Sequence, residues 1–381
     1  MNLDQARTCF PIVQQRIYCN NAAIAPLALP TRQAMEQVLA QLCDFGPPTQ
    51  WQQWVAALGR VRATLARLVN AAPAEIAFTK NTSEGLATIA QGLDWRPGDR
   101  IVAFDCEFPA NLYPWLALRS RGVVVELLPA AALTDLDRLR RACRGARLLS
   151  LSLVQFVSGF RADLEAVGAI CRETGTWFLV DAIQGLGAFP VDVKRAGVHA
   201  LAADGHKWLT APEGAAFLFV DEAFLPHLVP PEVGWLSVAA WDDISASQRA
   251  AAAAAPILWR PGAARFECGT LNYVGLIGLG AAVELLLAVG IETIAAHLLA
   301  LGDRLAAGLR QQGCELLQLS AAPQHRSGIT SFRHPSQSAD HLVARLEAAH
   351  IVCSNRDGWV RCSPHLYNSH EEIDTLLARL F

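Results

Sequence analysis

The chain holds three lysines, Lys80, Lys194 and Lys207, among 32 basic residues. Lys207 lies in DGHKW, between His206 and Trp208, where arginine would satisfy any surface charge. A guanidinium keeps its proton at neutral pH, whereas a desolvated lysine ammonium loses it and becomes a nitrogen nucleophile. A chain that uses arginine almost everywhere and lysine here points to imine chemistry at Lys207. Twenty-six positions earlier the apolar run WFLV ends in Asp181, with Gln184 following in DAIQG. A carboxylate just beyond a buried strand serves either as the cap of the next turn or as the partner of a ligand cation over the sheet edge.

Upstream, KNTSEG sets Asn81, Thr82 and Ser83 at the mouth of a helix, after the short apolar run Ile76 to Phe78. Hydroxyls and amides at a helix N-terminus form an anion site, and the same residues also serve as ordinary N-caps. A phosphate cradle, a strand-end acid and a reactive lysine are together what pyridoxal phosphate requires. A lysine holds its aldehyde as an imine, and a carboxylate keeps its pyridine nitrogen protonated.

Positioning these residues requires a sheet. Short apolar runs at Arg100 to Phe104, Val123 to Leu128, Ala146 to Val154 and Trp177 to Val180 alternate with helical stretches such as Ala162 to Thr174. That alternation predicts an α/β fold built on a mostly parallel sheet covered on both faces, with ligands beyond the carboxyl ends of its strands. Two long helices are expected over Leu271 to Val289 and Ile291 to Gln312, followed by a smaller α+β region. Its last helix, Glu371 to Leu380, starts behind a Ser369 cap. The expected organisation is a large domain over residues 15–262 and a small C-terminal domain over 263–381 joined by residues 1–14. The segment Pro230 to Pro261, with three tryptophans and an alanine tract, reads as a functional loop, a lobe connection or a helical excursion.

With 381 residues, 52% of them apolar, the chain can bury two lobes. A net charge of -3 with mixed signs offers no stripe for nucleic acid and no polybasic membrane anchor, so a small ligand is expected. The ten cysteines are scattered without a CxxC pair or metal-ligand spacing, and with no secretory pattern at the start this predicts a reduced, cytoplasmic setting and no metal site.

The motifs NTSEG, CEFPAN, DAIQG, DGHKW and RFECGTLN, in this order, resemble the class V aminotransferases, from NNAAIAPL at Asn20 to the last helix. The resemblance implies the fold-type I fold of pyridoxal phosphate enzymes. It also implies that Lys207 carries the cofactor, Asp181 pairs with its pyridine nitrogen and Gln184 with its ring hydroxyl oxygen. Thr82, Ser83 and His206 would hold the phosphate, Arg361 would receive a substrate carboxylate, and Gln155 would contact cofactor or substrate. Gly269 and Thr270 would serve the phosphate of a partner subunit, making the chain a homodimer with active sites at the interface.

Three departures narrow the chemistry. Phe108 stands where desulfurases stack a histidine on the ring, and Asp204 where they have a serine. The interval HIVCSNRDGWVRC lacks the long cysteine-bearing loop of persulfide-forming members, and neither Cys353 nor Cys362 is placed to replace it. A carbon–sulfur lyase acting by β-elimination on an amino acid is therefore expected first. An epimerase of the isopenicillin N epimerase type or an aminotransferase is the alternative, and a non-catalytic cofactor-binding scaffold an outside one.

Overall fold

The protein, described here by a computed structural model over residues 1–47, 51–320 and 322–380, is organised around a seven-stranded sheet. A two-residue strand β1 (Ile17–Tyr18) precedes it. The sheet strands are β2 (Ile76–Thr79), β3 (Arg100–Phe104), β4 (Val124–Leu128), β5 (Leu148–Ser152), β6 (Trp177–Asp181), β7 (Ala200–Asp204) and β8 (Ala216–Val220). Their order across the sheet is β2-β8-β7-β6-β5-β3-β4, and only β8 runs against its neighbours. The fold is thus the α/β arrangement expected, with the parallel strands ending on one edge.

Why these runs form buried strands is visible in their alternation. In β3, Val102 and Phe104 join one apolar cluster while Ile101 and Ala103 join the other; in β7, Leu201 and Ala203 oppose Ala200 and Ala202. Each strand feeds both cores, so its sequence is continuously apolar rather than alternating with polar residues. The helix Leu164–Thr174 covers one face. Asp163 caps it by accepting from Ala166 N, and Gly175, at φ 68°, ends it in a left-handed turn that leads into β6. Asp181 is delivered by that strand.

The helix Thr82–Gly92 starts directly after β2, capped by Asn81, whose side chain accepts from Glu84 N. It lies tightly against β7: a Cβ on Gly85 would stand 2.8 Å from the Ala202 Cβ. Glycine lets the N-terminal turn of this helix approach the end of the strand that precedes Lys207.

A four-stranded antiparallel sheet lies downstream, ordered β12-β13-β10-β9. Its strands are β9 (Glu315–Leu316), β10 (Thr330–Arg333), β12 (Ser354–Arg356) and β13 (Trp359–Cys362); β11 (Ile351–Val352) pairs instead with β1, in parallel. With helices Ile291–Gln311, Ala339–Ala348 and His370–Ala378 it encloses a third apolar cluster. The cap at Ser369 forms as expected, accepting from Glu372 N in a capping box. The helix Tyr273–Val289 packs on Leu29–Asp44 and Trp51–Val69, and its apolar residues join the cluster under the large sheet. Asn272 caps its first turn, so it begins two residues later than its apolar pattern. Between residues 230 and 261 the chain makes a helical excursion, Ile244–Ala252, with no buried residue. Among the described residues no single helix is long and apolar enough to cross a membrane.

Candidate functional site

The carboxyl edge of the large sheet and the β12–β13 hairpin enclose a cavity of about 450 Å³. Thr82, Ser83, Phe108, Asp181, Gln184, His206, Lys207 and Arg361 all line it. Eight of the sequence-derived residues, drawn from five separate stretches of chain, therefore meet at one place.

Lys207 follows β7 through Gly205 and His206. Burial pulls its ammonium down to about 8, against the opposing pull of the Asp181 carboxylate. Its Nζ lies 5.6 Å from the centroid of the Phe108 ring. An apolar wall and a desolvated amine leave a substantial neutral fraction at physiological pH, which is the nucleophilic form.

Asp181 ends β6 in full burial, and burial raises its carboxyl to about 6 despite a hydrogen bond accepted from Ile183 N and the nearby Lys207. A buried acid at a strand end with a single backbone donor is suited to a ligand cation. Gln184 is held by both ends: its Nε2 donates to Ala22 O at 2.9 Å and its Oε1 accepts from Trp208 Nε1 at 3.0 Å. One amide hydrogen is left for a ligand. The backbone that anchors it belongs to the NNAAIAPL segment, whose Ala22, Ala23 and Ile24 form another wall.

At the opposite end of the cavity the first backbone bond of the helix after β2 is Gly85 N–H to Asn81 O, so the amides of Thr82 and Ser83 precede the intrahelical ladder. Thr82 Oγ1 accepts from Asp204 N at 3.0 Å, which leaves its own hydrogen free. His206 Nδ1 stands 3.0 Å from Asp204 Oδ2, without hydrogen-bond alignment. Both Nδ1 and Asp204 Oδ1 lack a hydrogen-bond partner among the described residues. The Thr82 hydroxyl and the amides of Thr82 and Ser83 are the donors that fit a phosphate, and the unpartnered imidazole nitrogen of His206 supports the fit.

Arg361, on β13, is 1% exposed. Its Nη1 donates to Phe156 O at 2.8 Å, while Nε and Nη2 are buried without any partner. Burial first, and then the charge of Arg356, lower its pKa; a guanidinium nevertheless stays charged at neutral pH. A buried cation with two unused donors is costly unless an anion completes it.

The remaining expected residues lie elsewhere. Gln155 is outside the cavity lining: its Oε1 accepts from Val157 N, Ser158 N and Ser158 Oγ, and its Nε2 donates to Cys106 O. That carboxamide ties a turn together. Gly269 and Thr270 border a separate hollow of about 130 Å³ beside Lys80 and Glu84. Cys353 and Cys362 face each other, buried, across β12 and β13, with sulfurs 3.2 Å apart. No cysteine lines the cavity among the described residues.

Two residues of the lining, Phe156 and Arg356, and one buried carboxyl behind it, Glu107, were missed at the sequence level. Phe156 meets Phe108 edge-on, with ring centroids 5.3 Å apart. Glu107 is a buried carboxyl raised to about 7 by burial, against the bonds it accepts from Ser152. Arg356 lines the cavity beside Arg361. Only Arg356 had a legible signal. The Asp357-Gly358 dipeptide between two short apolar-flanked runs is a type I′ hairpin signature, and it fixes which residues face which.

Comparison with known proteins completes the description of the site. Residues 17–376 match the model of the family described as Aminotransferase class-V. A probable cysteine desulfurase from Methanothermobacter thermautotrophicus is 30% identical, over 99% of this chain and 96% of its own. Among solved structures, the apo cysteine desulfurase of Thermococcus onnurineus NA1 superposes with a TM-score of 0.89 at 27% identity, covering 98% of this chain and 96% of that one. The cystine C-S lyase C-DES, in complex with its reaction product cysteine persulfide, superposes with a TM-score of 0.88 at 29% identity, covering 97% and 98%. A lysine-to-alanine variant of that lyase holds glycine covalently linked to its PLP cofactor.

Proposed function

Because the chain belongs to the class V aminotransferases, with pyridoxal phosphate as cofactor, we propose that it is a carbon–sulfur lyase that removes the β-substituent of an amino acid. The observation that carries this reading is a cavity that joins a reactive lysine to an unsatisfied carboxylate receiver and contains no thiol. With Lys207, Arg361 and an apolar wall in reach, and no cysteine of the described residues lining this chain's own cavity, sulfur is best accounted for as leaving with the substrate's own side chain. The two-residue turn between β12 and β13 leaves no length for a cysteine-bearing loop ahead of Arg361.

The cofactor, when bound, supplies an electron sink for the substrate Cα carbanion. The chain supplies the rest. Thr82, Ser83 and His206 hold the phosphate. Asp181 keeps the proton on the pyridine nitrogen, and Gln184 uses its remaining amide hydrogen toward the ring oxygen. Lys207 Nζ would hold the cofactor's aldehyde, and once free its neutral form would take the substrate Cα proton as general base. Arg361 grips the α-carboxylate through Nε and Nη2, which sets the Cα–H bond relative to the ring. The β-bond breaks with its electron pair on sulfur, which leaves protonated as a thiol. With one water consumed, the carbon skeleton leaves as pyruvate and ammonium.

Phe108 offers a stacking face that transfers no proton, so Lys207 alone serves as base. Gly269 and Thr270 lie off the cavity in their own hollow, which supports two chains completing each other's phosphate sites. The test is sustained turnover of S-substituted cysteines by the holoenzyme without any keto acid. Pyruvate and thiol should appear in equal amounts over many turnovers per site. Racemised substrate with no thiol, or one equivalent of keto acid followed by arrest, overturns the proposal.

A further inference from the structure

The β12–β13 hairpin brings a second guanidinium to the cavity. Ser354 pairs with Arg361 and Arg356 with Trp359, so Ser354, Arg356, Trp359 and Arg361 share one face of the hairpin. Cys353, Asn355, Val360 and Cys362 take the other: the Cys353 and Cys362 thiols meet there, and Val360 and both cysteines join the small-sheet core. Arg356 and Arg361 are thus diagonal neighbours across two strands, at about 7–8 Å between backbones. Asp357 (φ 53°) and Gly358 (φ 78°) form the two-residue turn beside them. This turn holds Arg356 on a short, stiff tip over the cavity rather than on a long loop.

Two like charges set this close repel, and Arg356 contributes to lowering the Arg361 pKa and that of Lys207. Some arginines of this chain are offset by carboxylates, as Arg304 is by Asp374 and Arg140 by Glu173, and others stand alone in open solvent; Arg356 stands alone while lining a cavity. The Arg356 side chain makes no ion pair, hydrogen bond or ring contact among the described residues, and Arg361 keeps two donors empty. A cavity with two adjacent uncompensated guanidiniums is complementary to a ligand carrying two negative charges. The same cavity has an apolar lining that includes Phe108, Phe156 and Ile24.

We propose that the substrate is a dianionic amino acid, whose α-carboxylate is received by Arg361 and whose side chain ends, beyond an apolar or thioether spacer, in a second acidic group received by Arg356. This rests on the proposed lyase reading for the bond that breaks, and Arg356 is a substrate-binding and specificity-determining residue that takes no part in the proton transfers. A carboxylate-terminated S-alkyl cysteine meets the description, and so does a disulfide whose far half carries a carboxylate.

The test compares S-carboxymethyl-L-cysteine with its neutral isostere S-carbamoylmethyl-L-cysteine on the holoenzyme. Binding is read from the change in the cofactor's visible absorbance and turnover from pyruvate. Wild-type protein should bind the carboxymethyl compound ~10–100-fold more tightly, the range of one charge-assisted contact. Arg356→Gln should bring the ratio near one by weakening only the acidic ligand, and Arg356→Lys should keep part of it. Equal binding by the wild type, or equal weakening of both ligands in Arg356→Gln, overturns the proposal. A charge preference in binding without any pyruvate upholds the second acidic group and sinks the lyase reading. Equal binding of both compounds with pyruvate from each does the reverse, and no spectral response to either overturns both.

Discussion

At the scale of single residues, the site is a set of buried charges whose bonds to the protein are incomplete. Lys207 titrates at about 8, so its neutral fraction grows as pH rises through that value. Uptake of pyridoxal phosphate by the apoprotein should accelerate from pH 6 to 8 and level off above, well below the ~10.4 of an exposed lysine. A rate still climbing through pH 10 in a stopped-flow series would show an unperturbed amine. Arg361→Gln should lower kcat/KM by about 10²–10³, the loss of a charge-assisted fork. It should also leave the apoprotein's Tm unchanged or higher, because it removes a buried cation with empty donors. Paired kinetics and thermal scans check this; a large Tm loss would make Arg361 structural. Lys207 and Asp181 were legible because their types are rare or costly at such places, whereas Arg361, one of many arginines, was read from the family resemblance alone. Gln155 was misleading, since an amide in a motif says nothing about which way it faces, and its turn-tying bonds arise from local backbone. Glu107 was invisible, as its burial depends on Ser152 from a strand 45 residues away.

At the scale of elements, the helix Thr82–Gly92 and strand β7 must lie close for Thr82 to reach Asp204 N. Gly85→Ala would set its Cβ 2.8 Å from Ala202 Cβ. It should destabilise the fold by about 1–3 kcal/mol and weaken cofactor binding. Chemical denaturation and equilibrium dialysis read the two effects, and a variant with unaltered affinity would uncouple the helix from the phosphate. The buried strands were readable as continuous apolar runs because both faces are covered, and the Ser369 cap was readable as a local motif. Helix starts were less so: apolar periodicity begins at Leu271, whereas the Asn272 side chain, by accepting from Gly275 N, sets the true start at Tyr273. The β12–β13 hairpin was underused, although Asp357-Gly358 fixes its register. That register puts Arg356 beside Arg361.

At the scale of the whole molecule, the cavity is closed by parts distant in sequence, from Ala22 to Arg361. Its expected phosphate ligands Gly269 and Thr270 stand in a separate hollow. Gly269 has room for a side chain, with Trp235 Nε1 3.9 Å from a built Cβ. Gly269→Asp should fold and, by charge, block a partner's phosphate. Mixing inactive Gly269→Asp with inactive Lys207→Ala and letting subunits exchange should then restore activity to about a quarter of wild type, since only one site in each mixed dimer is intact. No recovery on exchange would place both residues in one subunit's site. Motif order made the fold legible, but which subunit a motif serves is a property of assembly that no single chain's spacing encodes. The central claim is that Lys207 is the cofactor-bearing residue, and with only Lys80, Lys194 and Lys207 as alternatives it can be settled in one experiment. Borohydride reduction of the holoprotein fixes the cofactor to whichever amine carries it, and peptide mass spectrometry then locates it. Pyridoxyl mass on the peptide containing Lys207 is the result predicted; the label on Lys80 or Lys194, or on no lysine, would contradict it.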